Sequence, residues 1–351
     1  MQIEVLNDLE QIKVLKHKWD DLFSRAQPGM FSHHTWIYEN LRCFDTDNII
    51  LIAVFGDKQK LIGTFPFAVR PFKIKKIPFR ALMHGGSSAT DYSRFIIDPA
   101  VNSRQVIKLV LDKLIELQPG RWDIFKIDNL SDGDESSKLF MSMMLDTLYA
   151  GTAATDVTPA LRYSHGHRKT KKIAKIKRQF KKILDDSTVI HKSGYDITDE
   201  LLQEFSRMHQ VSYPDSGFDS ERAQSFYKAL IKDPGINHCV YLSYIEHEQK
   251  MIAAHFGFMD TDTFYYYVPA YDPQFATYGP GQYLLWQLIV FADEKNLAEF
   301  DFLRGAEEYK FSWTNKINTN YTVLGVTGNA GFFHKLMVNL WLITKGTPFF
   351  K

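Results

Sequence analysis

Side chains that could perform acid–base chemistry are concentrated in one short segment of the second half of the chain. The apolar stretch from Glu299 to Leu303 has the pattern of a strand, which the carboxylate of Asp301 interrupts. The reactive residues that follow are Arg304, Glu307, Glu308, Tyr309 and Lys310. Carboxylates remove protons, a phenol donates one, and the two cations bind anions or order carboxylates. Because open α/β sheets bind ligands beyond the carboxyl ends of strands, the segment is predicted to be a site; the alternative is a structural cluster of ion pairs.

A histidine within another predicted strand is the second candidate base. His255 lies in the apolar stretch 253–257, where a histidine is either a base or a core residue with satisfied nitrogens. The chain shows no set of His, Cys, Asp and Glu at ligand spacing, so no metal is predicted. Its two cysteines also exclude a disulfide scaffold and a four-cysteine zinc site.

A glycine-containing turn between a strand and a helix is the third feature with chemical potential. It runs from Val268 to Gln282 and contains Gly279, Pro280 and Gly281. Such a turn offers backbone N–H groups and the positive end of a helix dipole to an anion. It lacks the Walker lysine and the dinucleotide-binding spacing. The pattern therefore predicts an anion site, with a plain strand-to-helix turn as the alternative.

Two further segments are unusual in composition. Residues 165–184 carry nine Lys/Arg and no acidic residue, with apolar residues at helical spacing. This pattern predicts an amphipathic helix whose basic face is either solvated or in contact with phosphate groups. The apolar tail 331–351 is too short to span a bilayer, so we expect a helix packed on the second domain, with interfacial membrane contact as the alternative.

The alternation of strand-like and helix-like stretches predicts a mixed α/β fold with two units. We expect domain boundaries that give an N-terminal domain over 1–160, the basic helix and its connection over 161–190, a C-terminal domain over 191–330 and the tail. A length of 351 residues also suggests about two domains. The hydrophobic fraction of 45% excludes disorder for most of the chain, and 42 basic against 41 acidic residues argue against a globally basic nucleic-acid binder. With no signal peptide in the pattern, the expected compartment is the cytoplasm.

Several short motifs fall in order across residues 195–315. They are Met208-His209-Gln210, Gly217-Phe218, Ala253-Ala254-His255-Phe256-Gly257, Tyr265-Tyr266-Tyr267, Tyr271-Asp272-Pro273, Gly279-Pro280-Gly281, Asp301-Phe302-Leu303-Arg304-Gly305, Tyr309-Lys310 and Trp313. Together they resemble the cellulose-biosynthesis (CelD/BcsL-type) acetyltransferases of the GNAT superfamily. The first half resembles the N-terminal region of that family more loosely, through Phe31-Ser32, Trp36, Pro66 and Asp91-Tyr92. The family is distantly related to the FemAB-type peptidyltransferases, which implies two tandem GNAT-like units, each a mixed, mainly antiparallel sheet flanked by helices.

The resemblance implies acyl transfer from acetyl-coenzyme A or another acyl-coenzyme A to an amine or hydroxyl, by direct attack in a ternary complex. A splayed strand, here Phe264 to Tyr271 or its neighbour, would bind the pantetheine, and the following turn would bind the diphosphate. The implied cofactor-binding residues are Tyr271, Tyr278, Gly279, Gly281 and Gln282. The implied catalytic residues are Glu308 or His255 as base, Tyr309 as acid, and Arg304 and Lys310 as anion-binding or orienting groups. Asp272 and Asp301 would be structural or orienting residues.

The implied acceptor is a small molecule or an envelope polysaccharide or glycan precursor. Residues 168–182 and the tail would suit an enzyme held peripherally at the anionic surface of the inner membrane. One alternative is a FemAB-like transferase that takes its donor from aminoacyl-tRNA and binds the tRNA with the basic helix. The other is a non-catalytic partner of a polysaccharide synthase.

Overall fold

The computed structural model describes residues 1–45, 48–163 and 170–345 and divides into two compact units. Unit 1 comprises Met1–Val157 and the chain from Asn318 onward, and unit 2 comprises Thr158–Ile317. The domain boundaries expected near residues 160, 190 and 330 stay predictions. Arg168 and Lys169, the first two cations of the predicted basic helix, lie outside the described residues.

Unit 1 contains a mixed sheet. Its strands are β1 Gln2–Leu6, β2 Ile49–Phe55, β3 Leu61–Ile74, β4 Ile77–His84, β5 Ile96–Ile97, β6 Ile124–Ser131, the first part of β7 Tyr149–Arg162, and most of β13 Lys316–Val326. The apolar runs 49–55 and 61–69 are typical of a hairpin, and β2 and β3 pair antiparallel from Ile49–Ala68 to Phe55–Leu61. β4 pairs with β3 antiparallel and with β6 in parallel, and β13 pairs with β6 antiparallel.

Helices cover both faces of this sheet. They are α1 Leu9–Val14, α2 Lys16–Ala26, α3 His34–Phe44, α4 Ser103–Leu117, α5 Glu135–Thr147 and α11 Phe332–Thr344. α4 buries the stripe Val106, Val110 and Leu114 in a core with Phe65 and Phe125. Its bounds follow from local chemistry, because Asn102 accepts a hydrogen bond from Gln105 N–H at the start and Pro119-Gly120 follows its end.

The C-terminal helix α11 packs within unit 1. Its residues Met337, Val338, Trp341 and Leu342 share a buried cluster that also contains Phe79. The expectation that the tail packs on the second domain is therefore wrong. The reason is topological: β13 pairs with β6 and carries the chain back into unit 1 before α11 begins.

The strands of unit 2 are mixed in direction and mainly antiparallel. The elements of this unit are the end of β7, α6 Thr170–Phe180, β8 Ser187–Ser193, α7 Asp199–Ser212, α8 Glu221–Lys232, β9 Val240–His247, β10 Lys250–Met259, β11 Thr263–Tyr271, α9 Pro280–Glu294, β12 Glu299–Asp301 and α10 Glu308–Phe311. Strands β8, β9, β10 and β11 pair antiparallel in that order. β12 pairs with β11 in parallel and with β7 antiparallel. The predicted mixed α/β fold is thus confirmed.

The core of unit 2 lies between its strands and α9 and α6. α9 contributes Leu284, Leu285 and Leu288, and α6 contributes Ile176 and Phe180. The predicted amphipathic character of the basic helix is therefore present over its described part. In neither unit is any described helix long and apolar enough to cross a bilayer.

Candidate active site

The sheet of unit 2 opens between β11 and β12. The two strands pair over three positions only, from Thr263–Glu299 to Tyr265–Asp301. β11 then continues to Tyr271, whereas β12 ends at Asp301. Within the described residues, no strand pairs with the β12 side of β11 beyond Tyr265. A strand edge left open in this way exposes backbone donors and acceptors to an extended ligand.

The turn after β11 is held in a defined shape by its own side chains. Asp272 Oδ1 accepts a hydrogen bond from Gln274 N–H at 2.9 Å, and Asp272 Oδ2 pairs with Lys250 at 2.6 Å. Gly279 precedes α9 with φ of +63°, a conformation that favours glycine. Asp272 thus orients the turn, and the free amides of the first turn of α9 follow Gly279.

Tyr271 lies against the first turn of α9. The three heavy atoms nearest to a Cβ built on Gly281 all belong to the Tyr271 side chain, at 3.6 Å or more, and Gln282 follows in the same turn of the helix. Tyr278 is half-buried near Phe275. Four of the five predicted cofactor-binding residues therefore lie between residues 278 and 282, and the fifth, Tyr271, borders them.

The basic helix α6 lies against this turn. Gln179 Nε2 donates a hydrogen bond to the carbonyl of Thr277 at 3.0 Å, and Phe180 stacks on Tyr283 with ring centroids 3.9 Å apart. Lys177 lies 4.7 Å above the ring of Trp286. The pairings run in opposite directions along the two helices, so the C-terminal end of α6 lies beside the N-terminus of α9.

α6 supplies positive charge that the turn itself lacks. Its exposed cations, which form no ion pair with any described residue, are Lys171, Lys175, Lys177 and Arg178, followed by Lys181 and Lys182. Lys175, Arg178 and Lys182 lie within one helical turn of Gln179. The contact of Gln179 with the turn could not be predicted from local sequence patterns, because the two segments are about a hundred residues apart in sequence.

Four tyrosines gather at the open end of β11. Burial, Glu307 and Tyr213 raise the pKa of Tyr309, in that order of importance. Burial, Tyr271 and Glu307 raise the pKa of Tyr213. Burial, Tyr309 and Tyr213 raise the pKa of Tyr266. Tyr309 therefore keeps its proton at neutral pH and can act as a hydrogen-bond donor or an acid. Tyr213 and Tyr266 were not singled out as site residues from sequence.

The loop between β12 and α10 is fixed by strong polar contacts. Asp301 Oδ1 accepts a hydrogen bond from Leu303 N–H at 2.7 Å, and the buried Leu303 has φ of +58°. Left-handed backbone at a leucine is strained, and such strain clusters at functional sites. Lys310, only 3% exposed, pairs with Glu307 at 2.9 Å and donates to the carbonyl of Arg304 at 2.5 Å. Lys310 thus orders a carboxylate and the loop.

Glu308 takes part in none of these contacts. Its side chain is exposed at the start of α10, and it makes no ion pair or hydrogen bond with any described residue. The Arg304 side chain is also exposed. The structure therefore brings Tyr309, Glu307 and Lys310 together, with Glu308 beside them on the same short helix.

His255 is fully buried in β10 and accepts a hydrogen bond from the backbone of β11. Its Nε2 accepts a hydrogen bond from Tyr267 N–H at 3.0 Å, where the β10–β11 register shifts, and its ring stacks on Tyr266 at 4.4 Å. Burial lowers the pKa of His255 to about 3, so the ring is neutral at pH 7. Because Nε2 accepts, the ring proton lies on Nδ1, and the basic nitrogen is already occupied. Among the described residues there is no cluster of three or more His, Cys, Asp or Glu that could hold a metal.

Comparison with known proteins identifies the fold. The family model described as an acetyltransferase (GNAT) domain matches residues 168–311. FemX is 11% identical with a TM-score of 0.60, over 92% of this chain and 97% of that chain. A tandem GNAT protein from the clavulanic acid biosynthesis pathway is 10% identical with a TM-score of 0.53, over 92% and 98%. L-PGS from Bacillus licheniformis is 12% identical with a TM-score of 0.53, over 94% and 95%.

These comparisons and the geometry support a GNAT-fold acetyltransferase domain in this chain, with solved neighbours that include a tandem GNAT protein. The fold supports a transferase that moves acyl groups. No curated protein sequence matches the chain. The resemblance to the cellulose-biosynthesis type stays a prediction.

Proposed function

We propose that unit 2 transfers an acyl group from acetyl-coenzyme A or another acyl-coenzyme A to an amine or hydroxyl. The observation that carries this proposal is the opening between β11 and β12: the free part of β11 is followed by the turn before α9, and Tyr266 of β11 interacts with Tyr309. An extended pantetheine would pair with the free edge of β11 beyond Tyr265. The diphosphate would bind the amides after Gly279, where the cations of α6 supplement the helix dipole.

The side chains fit the proton transfers that the reaction needs. The acceptor nitrogen or oxygen attacks the thioester carbonyl carbon, the C–S bond breaks, and the electron pair leaves on sulfur. Tyr309, which holds its proton at neutral pH, gives that proton to the thiolate. Glu308, which has no partner among the described residues, takes the proton of the acceptor, directly or through water. Backbone N–H groups at the free edge of β11 would stabilise the oxyanion.

The other predicted residues support this site rather than react. Lys310 holds Glu307 and the carbonyl of Arg304, so its charge orders the loop. Arg304, whose side chain is exposed, remains the candidate for binding an anionic acceptor. We assign His255 to positioning of β11, since its acceptor nitrogen is used by Tyr267 N–H. The acceptor class, an envelope glycan precursor, and a cytoplasmic location at the inner membrane are further parts of the proposal.

We expect acyl-coenzyme A to stabilise the protein against heat. A ligand at 100 times its dissociation constant adds about 2.7 kcal/mol to the free energy of unfolding, which raises the melting temperature measurably. Acetyl-coenzyme A and longer acyl-coenzymes A would be compared by melting temperature, and the largest shift identifies the acyl chain. Gly281→Val, which fills the space beside Tyr271, should abolish the shift.

The matched control for this experiment is Gly328→Val. Gly328 lies in unit 1, and a Cβ there would meet nothing within 4 Å. This variant should retain the full shift. An equal shift in Gly281→Val and in the wild type would contradict binding of the donor at the turn before α9. No shift with any acyl-coenzyme A would contradict acyl-coenzyme A as the donor.

The exposed cations of α6 favour one second candidate, a donor carried by tRNA. Under this alternative, the triple variant at Lys171, Lys175 and Lys177 to Gln weakens tRNA binding. Each lost phosphate contact lowers the slope of log affinity against log salt by about one. Filter binding over a salt series measures it, with Lys13, Lys58 and Lys108 to Gln as the control. Affinity and salt slope that match between the two triple variants would eliminate this candidate.

A further inference from the structure

The outward face of α11 in unit 1 is apolar and has no partner in the described part of the chain. Phe332, Leu336 and Ile343 are 82%, 38% and 56% exposed. Their spacing of four and seven residues places them on one side of the helix. The opposite side is also apolar and is buried in the core of the unit, through Val338 and Trp341. α11 is therefore apolar on both sides, which is unusual for a surface helix of a water-soluble domain.

Lysines border this face at the tip of the β3–β4 hairpin. Ile74 pairs with Ile77, so Lys75 and Lys76 form a two-residue turn. The start of α11 contacts the same hairpin, because the rings of Phe79 and Phe333 lie 6.3 Å apart. The outward face of α11 and these two lysines of the hairpin turn together are called the lysine-rimmed surface below.

The charged side chains that belong to this surface are positive. Lys75 and Lys76 are exposed and form no ion pair with any described residue. The sequence contains no Asp or Glu after Glu308. Asp123, an acidic group close enough to His334 of α11 to interact with it, is already paired with Arg80 at 2.8 Å.

We propose that the lysine-rimmed surface docks unit 1 on a bilayer that contains anionic phospholipid. Bulky apolar side chains enter the boundary between headgroups and acyl chains, and lysines bind the headgroup phosphates. A second copy of this chain fits less well, because its own α11 contains no Asp or Glu that could pair with the lysines. The proposal concerns unit 1 and is independent of the acyl-transfer chemistry proposed for unit 2.

Vesicle co-sedimentation of the full chain tests the proposal. Vesicles of phosphatidylcholine alone are compared with vesicles of phosphatidylcholine and phosphatidylglycerol. We expect binding at least about tenfold tighter to the anionic vesicles, and weaker binding as salt rises. Lys75→Glu with Lys76→Glu should weaken that binding by about tenfold or more. Lys13→Glu with Lys58→Glu, the same charge change at exposed positions of unit 1, should leave it unchanged.

The contribution of the apolar side chains to vesicle binding is tested with a second matched pair of variants. Phe332→Ser with Ile343→Ser should weaken binding to the anionic vesicles, whereas Val14→Ser with Val211→Ser, also exposed positions, should not. Melting temperatures of all variants check that the fold is kept. Equal sedimentation with both vesicle types, or equal loss in the test and control variants, would overturn the proposal. So would a dimer in analytical ultracentrifugation that Phe332→Ser dissociates in a protein that binds no vesicles.

Discussion

Tyr309→Phe is expected to lower the turnover number for acyl transfer by about 10²–10⁴-fold, the usual contribution of a positioned acid. The variant removes only the phenol oxygen, whose proton is held at neutral pH by burial and by Glu307. The ring remains, so we expect the KM for acyl-coenzyme A and the melting temperature to change little. Release of free coenzyme A thiol, followed with a candidate acceptor, measures the turnover number.

Tyr195→Phe is the control, because Tyr195 is an exposed tyrosine of unit 2. It should leave the turnover number as it is in the wild type. Activity of Tyr309→Phe within about twofold of the wild type would remove Tyr309 from the mechanism. The double variant Glu308→Gln with Tyr309→Phe also tests the non-catalytic alternative. A cellular phenotype that survives both changes would support a non-catalytic partner of a polysaccharide synthase.

The second large effect is a loss of stability in acid. Burial lowers the pKa of His84 to about 4 and that of His255 to about 3. An unfolded histidine titrates near 6.5, so between that pH and the folded values the unfolded chain binds more protons. The stabilisation from each neutral histidine is thus full above about pH 6.5 and is lost as the pH falls. Each contributes a loss of about 2 kcal/mol between pH 7 and pH 5.

Urea unfolding at pH 7 and pH 5 measures this loss in the wild type and in histidine variants. His255→Gln should reduce the difference between the two pH values by about 2 kcal/mol, and His84→Gln should do the same. His17→Gln, at an exposed position, is the control and should leave the difference unchanged. If all three variants keep the wild-type difference, carboxylates and not these histidines account for the acid sensitivity.

Local patterns were sufficient to predict most secondary structure. α4 is of this kind, since its apolar stripe and stop signal both lie within one segment. The hairpin β2–β3 is another, since two apolar runs flank a short turn. The strand Ser187–Ser193 was missed, because it is half-polar and lies at the edge of its sheet, where one-sided pairing leaves a weak hydrophobic pattern.

Contacts between distant segments were beyond the reach of such patterns. The turn at 278–282 and the group from Arg304 to Lys310 could be proposed as candidates because each is local in sequence. The contact of Gln179 with Thr277 depends on how α6 packs along α9, and the approach of Tyr213 to Tyr309 depends on the packing of α7. The return of α11 to unit 1 likewise depends on strand order, which sequence periodicity does not specify.

Calorimetric titration with acyl-coenzyme A is the direct test of donor binding in unit 2. We expect one binding site per chain, with a dissociation constant of about 1 μM to 1 mM, the usual range of KM values. Gly281→Val should abolish the heat of binding, and Gly328→Val should retain it. A titration that gives no heat with acetyl-coenzyme A or any longer acyl-coenzyme A, at concentrations above that range, would contradict acyl transfer from coenzyme A in unit 2.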